Sequence, residues 1–242
     1  MKSDNESESN LQVFQEQSPC PYFKDDRISS IEYLIPSEEE TGNYHAYLSK
    51  GYRRLGRIFY RNVCDTCEEC RPLRIETDKF KPGKSQIRTL KKNEDIRVVI
   101  SDTSTLTTEK IMLYHRYVNS KHPENKEEDL GDSVNILMAI HHGYGSIKEM
   151  EYYLEDKLVG VGIVDEGLDS LSSNYFYYDT DYLNRRLGIF SILKEIELAQ
   201  KLGKQYYYLG FYIEDNSKMS YKKYFRPNQV LESGEWREFL RE

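Results

Sequence analysis

Between residues 148 and 213 the hydrophobic period changes, and that change limits the fold more than any other feature of the chain. Residues 148–155 (KEMEYYLE), 158–165 (LVGVGIVD) and 170–178 (SLSSNYFYY) read as three strands joined by short polar turns. Residues 184–202 then switch to a helical period. Ile189, Ile192, Leu193, Ile196 and Leu202 fall on one face, and Gly203 stops the helix. Residues 205–213 (QYYYLGFYI) return to a strand. A meander, a helix and a further strand describe the C-terminal half of an α/β fold of the acetyltransferase-like (GNAT) kind.

The stretch before it is less regular. Residues 20–75 are rich in Cys, Tyr and Arg and read as short strands and turns plus one helix, a Cys-rich α+β region. That helix spans 37–50, with Ser37 as N-cap, Glu38, Glu39 and Glu40 in its first turn and Gly51 at its end. Residues 57–61 and 73–76 alternate as strands do, 84–93 (KSQIRTLKKN) read as a short basic helix, and 98–100 as a short buried strand. A helix opens at Thr107-Thr108-Glu109 and carries Ile111, Tyr114 and Val118 at helical spacing. The expected organisation is a mobile N-terminus over 1–17, a Cys-rich domain over 18–100 and an acetyltransferase-like domain over 101–242.

Composition places the 242 residues among globular proteins: 38% are hydrophobic and 31% charged. No apolar run is long enough for a transmembrane helix. The opening MKSDNESESN has no apolar core of a secretory signal, so a cytoplasmic location is expected. The net charge of −7 argues against nucleic acid until its distribution is read. Residues 1–40 hold ten acids and three bases, whereas residues 50–97 hold fourteen bases and seven acids. Such a block can meet a polyanion locally, or be a solvated surface balanced elsewhere. Within it, Lys84, Arg88 and Lys91 sit at i, i+4 and i+7, one helical face able to follow a phosphate backbone.

Cys64-x2-Cys67-x2-Cys70, with Cys20-Pro21 distant, is dense for a chain expected in a reducing compartment. Four thiolates suit zinc or an iron–sulfur cluster, and four reduced core cysteines fit equally well. The 21 tyrosines cluster in strands, where one face packs and the other can line a cleft suited to a nucleoside. Arg185-x-x-Gly188-x-Phe190 opens the long helix where acyl-CoA enzymes hold a pyrophosphate on backbone N–H groups. Phe190 departs from the small residue those enzymes place there and weakens an acetyl-CoA reading. A non-catalytic, metal-dependent RNA-binding module is a further alternative.

Taken in order, Cys20-Pro21-Tyr22, Gly51-Tyr52-Arg53-Arg54, Phe59-Tyr60-Arg61, the Cys block running into Arg71-Pro72-Leu73-Arg74, Tyr114-x2-Tyr117-x4-His122-Pro123, Tyr175 to Asp179, Tyr208-Leu209-Gly210-Phe211-Tyr212 and Lys218-Met219-x-Tyr221-Lys222-x2-Phe225-Arg226-Pro227 are more specific together than any one alone. The series resembles the arginyl-tRNA–protein transferase family, and most of all its bacterial branch, the aspartate/glutamate leucyltransferases. It covers residues 20 to 230. The loop Phe23-Lys24-Asp25-Asp26-Arg27 departs from the turn usual in that branch.

The resemblance implies an aminoacyl-tRNA donor, leucyl-tRNA by the bacterial pattern with arginyl-tRNA as the alternative. It implies a protein acceptor beginning with Asp or Glu, and a product marked for N-degron degradation. No cofactor is needed for that chemistry. Its stretches nominate Tyr178, Asp179 and Tyr221 for proton transfer and orientation, and Arg71, Arg74, Lys218, Lys222 and Arg226 for holding the acceptor's carboxylate. Lys84, Arg88, Lys91, Lys92 and Arg185 would meet the tRNA, and Cys20, Cys64, Cys67 and Cys70 are the candidate metal ligands.

Overall fold

The computed structural model describes residues 12–37, 44–121, 130–143 and 146–239. It is a mixed α/β protein with two sheets. The smaller is antiparallel, in the order β1 (Gln12–Pro19), β2 (Ile28–Ile35), β4 (Ile58–Asn62), β3 (Arg53–Leu55). The larger has eight strands. From one edge they run β12 (Glu235–Glu238), β11 (Asn228–Glu232), β5 (Arg71–Glu76), β10 (Tyr206–Tyr212), β9 (Ser170–Tyr178), β8 (Lys157–Glu166), β7 (Ser146–Leu154) and β6 (Ile96–Ser101).

Five helices complete the described residues: α1 (Tyr44–Ser49), α2 (Lys84–Lys92), α3 (Thr108–Lys121), α4 (Leu130–His141) and α5 (Leu187–Lys201). β7, β8 and β9 form the expected antiparallel meander, and α5 carries the chain across to β10, which runs parallel to β9. Helix α5 begins three residues later than its periodicity suggests. Thr180–Arg185 forms a 3-10 segment first, and Arg186 takes a left-handed conformation between the two.

The sheet is covered on both faces. Leu193, Ile196 and Ala199 of α5 pack with Ile75, Tyr207 and Val159 on one side. Leu113 and Val118 of α3 and Leu137 and Ile140 of α4 pack with Val161, Ile163 and Tyr177 on the other. β8 is therefore buried along nearly its whole length, which is why LVGVGIV is continuously apolar rather than alternating. A third core joins the sheets, with Leu34, Tyr47, Leu48 and Phe59 meeting Tyr208.

Three expectations change. Residues 12–17 were expected to be mobile with the rest of the N-terminus, yet they form most of β1, paired along its full length with β2; residues 1–11 lie outside the described residues. The strand over 98–100 is an edge strand with Val99 and Ile100 exposed, because β6 pairs only with β7. The division at residue 100 does not separate two sheets, since β5 and β6 both belong to the larger one. The helix expected over 37–50 is α1, Tyr44–Ser49 among the described residues, and Ser37 lies in neither helix nor strand; Glu38, Glu39, Glu40 and His122-Pro123 lie outside the described residues.

Candidate active site

The parallel pairing of β9 and β10 is short. It joins Tyr206, Tyr207 and Tyr208 to Ser170, Leu171 and Ser172, and then the strands part. β10 bulges at this point where it pairs with β5, between Tyr208 and Gly210, and Gly210 has φ +84. Into the gap reaches Arg53 of β3. Its Nη2 donates to the carbonyls of Ser173 (2.5 Å) and Asn174 (3.3 Å). A β-carbon at position 210 would lie 3.0 Å from Arg53 Nη1, so only glycine combines the left-handed backbone with this close approach.

Arg53 is held in place by its neighbour. Arg54 is buried and makes a two-point ion pair with Asp165, Nε to Oδ2 at 3.0 Å and Nη2 to Oδ1 at 2.6 Å. Its remaining donors meet the carbonyls of Gly56, Ile140 and His142. Tyr44 and Asn174 also donate to Asp165. This fully hydrogen-bonded pair fastens β3 to β8, β9 and the end of α4.

Charged and hydroxyl groups surround the gap. Lys222 is buried in the 3-10 segment Ser220–Tyr224, and its Nζ donates to the carbonyl of Phe211 (2.7 Å). Burial, with the Arg53 charge beside it, brings its pKa down to about 7. Glu195 of α5 is buried on the other side. Its carboxyl accepts from Tyr207 (2.7 Å) and Ser191 (3.2 Å), and burial raises its pKa to about 7 against these hydrogen bonds. Tyr221 feels Glu195 and Tyr178; burial, then those two neighbours, pushes its pKa up to about 12, so it is a hydroxyl at neutral pH. Tyr22, in the loop after β1, is pushed to about 12 by burial and by Tyr60, with Cys70, Arg53 and Cys20 close by. Segments far apart in sequence thus converge on Arg53.

The nominated residues divide. Lys222 lies beside Arg53, and Tyr221 lies near Tyr178 and Glu195. Asp179 turns away: it caps the 3-10 segment by accepting from Asp181 N (3.1 Å) and pairs with Lys157 (2.8 Å). Burial would raise its pKa, but these partners hold it below the ordinary value, so it is a carboxylate at neutral pH. Arg71 pairs with Glu232 (2.9 Å) and lines an 840 Å³ cleft that also includes Cys64, Cys67 and Cys70. Arg74 is stacked over Tyr206 (3.9 Å) and Trp236 (4.3 Å) and donates to Gln229 (2.8 Å). Lys218 is exposed, and Arg226 donates to the carbonyl of Lys223 (3.1 Å) beside the cis Arg226–Pro227 bond. Sequence reasoning missed Arg53 and Glu195 as site residues. Arg53 stood in a quoted stretch without a role, and Glu195 is an acid among the apolar residues that define the buried face of α5.

Lys84, Arg88, Lys91 and Lys92 are exposed on α2, which packs beside the start of α5. Arg186 donates to Ser85 (3.0 Å) across that junction. Arg185 is in a two-point ion pair with Asp95 (2.8 and 2.9 Å).

The four cysteines are all free thiols. Burial, then the neighbouring Cys20, Cys64 and Cys67, pushes the Cys70 pKa up to about 12, so the four groups are close together. Cys64 Sγ accepts from the backbone N–H of Ser30 (3.3 Å), and Cys67 Sγ accepts from Arg27 (3.4 Å). Among the described residues no three His, Cys, Asp or Glu side chains are arranged as a metal ligand set. No helix among them is long and apolar enough to cross a membrane.

Residues 18–88 match the family model for the N terminus of arginine-tRNA-protein transferases, and residues 109–232 match the C-terminal model. The chain belongs to the arginine-tRNA-protein transferase family. An aspartate/glutamate leucyltransferase of Campylobacter jejuni is 36% identical over 88% of the chain and 89% of that relative. One of Saccharophagus degradans is 32% identical over 92% and 94%, and one of Leptospira interrogans is 35% identical over 88% and 83%. Among solved structures, the C-terminal domain of a putative lysylphosphatidylglycerol synthetase from Agrobacterium fabrum is similar at TM-score 0.45 and 8% identity, covering 89% of this chain and 72% of that one.

Proposed function

We infer that the protein transfers leucine from leucyl-tRNA to the N-terminal Asp or Glu of a protein acceptor, marking it for N-degron degradation. The names of relatives aligned along most of the chain support leucine as the donor residue and Asp or Glu as the acceptor. The observation that carries the chemistry is the gap between β9 and β10, where the half-buried Arg53 guanidinium meets the buried Lys222 amine.

The aminoacyl ester is already activated, and an α-amino group with a pKa near 7.7–8.0 is partly free amine at neutral pH. The amine attacks the ester carbonyl, the carbon–oxygen bond to the ribose breaks, and the amine's proton ends on the ribose hydroxyl. No covalent enzyme intermediate is required, and positioning can supply much of the rate. Tyr221, with Tyr178 beside it, is suited to hydrogen-bond the developing oxyanion or pass the proton to the leaving oxygen. Asp179, ionised and paired, serves to orient the turn after β9. The exposed cations of α2 reach toward the tRNA acceptor stem, and the start of α5 lies beside them. Strands β7 to β9, α5 and β10 follow the order of an acetyltransferase-like half. Because the donor is a charged tRNA, a cytoplasmic location goes with this reading.

We also propose that Cys20, Cys64, Cys67 and Cys70 hold a zinc ion or an iron–sulfur cluster. Soft thiols receiving N–H hydrogen bonds fit such a group in donor chemistry, although their side chains are not gathered to ligand geometry. Bound there, the group would supply structural cross-linking, and no step of the transfer runs through it.

The test of function is transfer of radiolabelled leucine or arginine from charged tRNA to peptides beginning with Asp, Glu or Ala. Leucine should enter the Asp and Glu peptides and not the Ala peptide. Arginine incorporation would keep the mechanism and replace the donor. Transfer of neither residue by protein with its cysteines intact would sink the reading.

A further inference from the structure

Arg53 is half-buried, yet its Nη1 is fully buried and has no hydrogen-bond partner among the described residues. The other end of the same guanidinium is fixed on the carbonyls of Ser173 and Asn174. A buried guanidinium donor left unpaired is costly, and such orphans are rare. Lys222 is buried beside it, close enough for Arg53 to oppose its charging. No carboxylate is paired with either side chain among the described residues. Glu195 is near enough to feel the Arg53 charge, but its oxygens accept from Tyr207 and Ser191, and burial works against its ionisation. Nearby, the Phe211 carbonyl is taken by Lys222, Gly210 has no β-carbon to crowd Nη1, and Tyr22 and Tyr44 feel the Arg53 charge.

A guanidinium with one buried donor unpaired and fixed in direction makes a site for a small anion. We propose that Arg53, backed by Lys222, receives the side-chain carboxylate of the acceptor's N-terminal Asp or Glu and so sets the acceptor rule. The assignment rests on the reading of an acidic N-terminal acceptor. It selects against Asn and Gln for a physical reason: the carbonyl of a neutral amide can accept the hydrogen bond but leaves the guanidinium charge uncompensated. A carboxylate satisfies Nη1 with a charge-assisted hydrogen bond.

The test measures binding apart from transfer. Fluorescent peptides that differ only in a first residue of Asp, Glu or Asn are titrated against the full chain and its Arg53→Gln and Arg53→Lys variants, with thermal unfolding as the check on folding. The unaltered protein should bind the Asp and Glu peptides about ten-fold or more tighter than the Asn peptide. Arg53→Gln should bring all three to the Asn level, and Arg53→Lys should restore part of the preference. Should Arg53→Gln fail to fold, the arginine side-chain N–H resonances of the unaltered protein decide. One should shift with the Asp peptide and not with the Asn peptide. An Asp preference that survives Arg53→Gln, or no resonance that distinguishes the peptides, overturns the assignment. Leucine transfer is scored separately: a preference without transfer defeats the proposed function, and transfer with a preference indifferent to Arg53 defeats this inference alone.

Discussion

Two residues in the gap titrate far from where such groups usually do, and both shifts are statements about stability. Lys222 has a folded pKa of about 7 against an ordinary 10.5. Between those values the unfolded chain holds one more proton than the folded one, so this residue makes stability rise with pH across that window. Glu195 works the other way. Its folded pKa is about 7 against 4.5, so the folded chain holds the extra proton and stability falls as pH rises from 4.5 to 7. Each contributes a slope approaching about 1.4 kcal/mol per pH unit in mid-window. Urea unfolding from pH 5 to 10 therefore separates them by difference from the unaltered protein. Lys222→Met should flatten the profile above pH 7, and Glu195→Gln should flatten it below. A Lys222→Met profile parallel to the unaltered one would show that this amine is not buried in the folded state.

Helix α2 shows how an element gathers charge by being placed, not by composition alone. Its buried side is thin: Gln86 and Thr89 face inward, and Gln86 closes a capping box on Gly83 (2.7 Å). The remaining faces are left to Lys84, Arg88, Lys91 and Lys92. Asn93 ends the helix and ties it to the start of α5 through the carbonyl of Arg185 (2.9 Å). A row of cations held beside a helix N-terminus is suited to a phosphate backbone. Replacing Arg88 and Lys91 together by Glu should weaken tRNA binding. It should also lower the slope of log affinity against log salt by about 1–2, as two phosphate contacts would. Arg185→Ala should change that slope less, because Asp95 already neutralises Arg185. Filter binding of uncharged tRNA over a salt series measures both, and equal slopes for the unaltered and Glu-substituted proteins would remove α2 from the interface.

At the scale of the molecule, the sheets are joined by what lies between β4 and β5. Cys64, Cys67 and Cys70 occupy that connection, and Cys20 follows β1, so a metal held by all four would cross-link the small sheet to the large one. Protein prepared without oxygen should contain zinc, or iron with sulfide, and Cys64→Ser should lower both the metal content and the thermal midpoint. A metal-free protein whose midpoint is unchanged by Cys64→Ser would end that proposal. The same connectivity ties residues before 100 into the larger sheet. β5 lies between β10 and β11, so the chain after residue 100 alone would leave two strands with open edges.

The sequence alone determined the elements whose signals are local. The meander, α5 and β10 were legible because side-chain period follows directly from backbone geometry, and a buried strand such as β8 declares itself by a continuous apolar run. The family was legible too, because its ordered stretches survive as residues. Lys222, Tyr178 and Tyr221 could be nominated from those stretches. What tertiary structure alone decided is which of them meet. Arg53 and Lys222 are 169 positions apart, and nothing in either segment reports that a bulge at Gly210 and the parting of β9 from β10 leave room for both. Arg71, Arg74 and Arg185 carry the same residue signal as Arg53, but the fold gives them Glu232, Gln229 and Asp95 as partners. An arginine's chemistry is written in its side chain; whether a donor is left over is set by every group the fold brings to it.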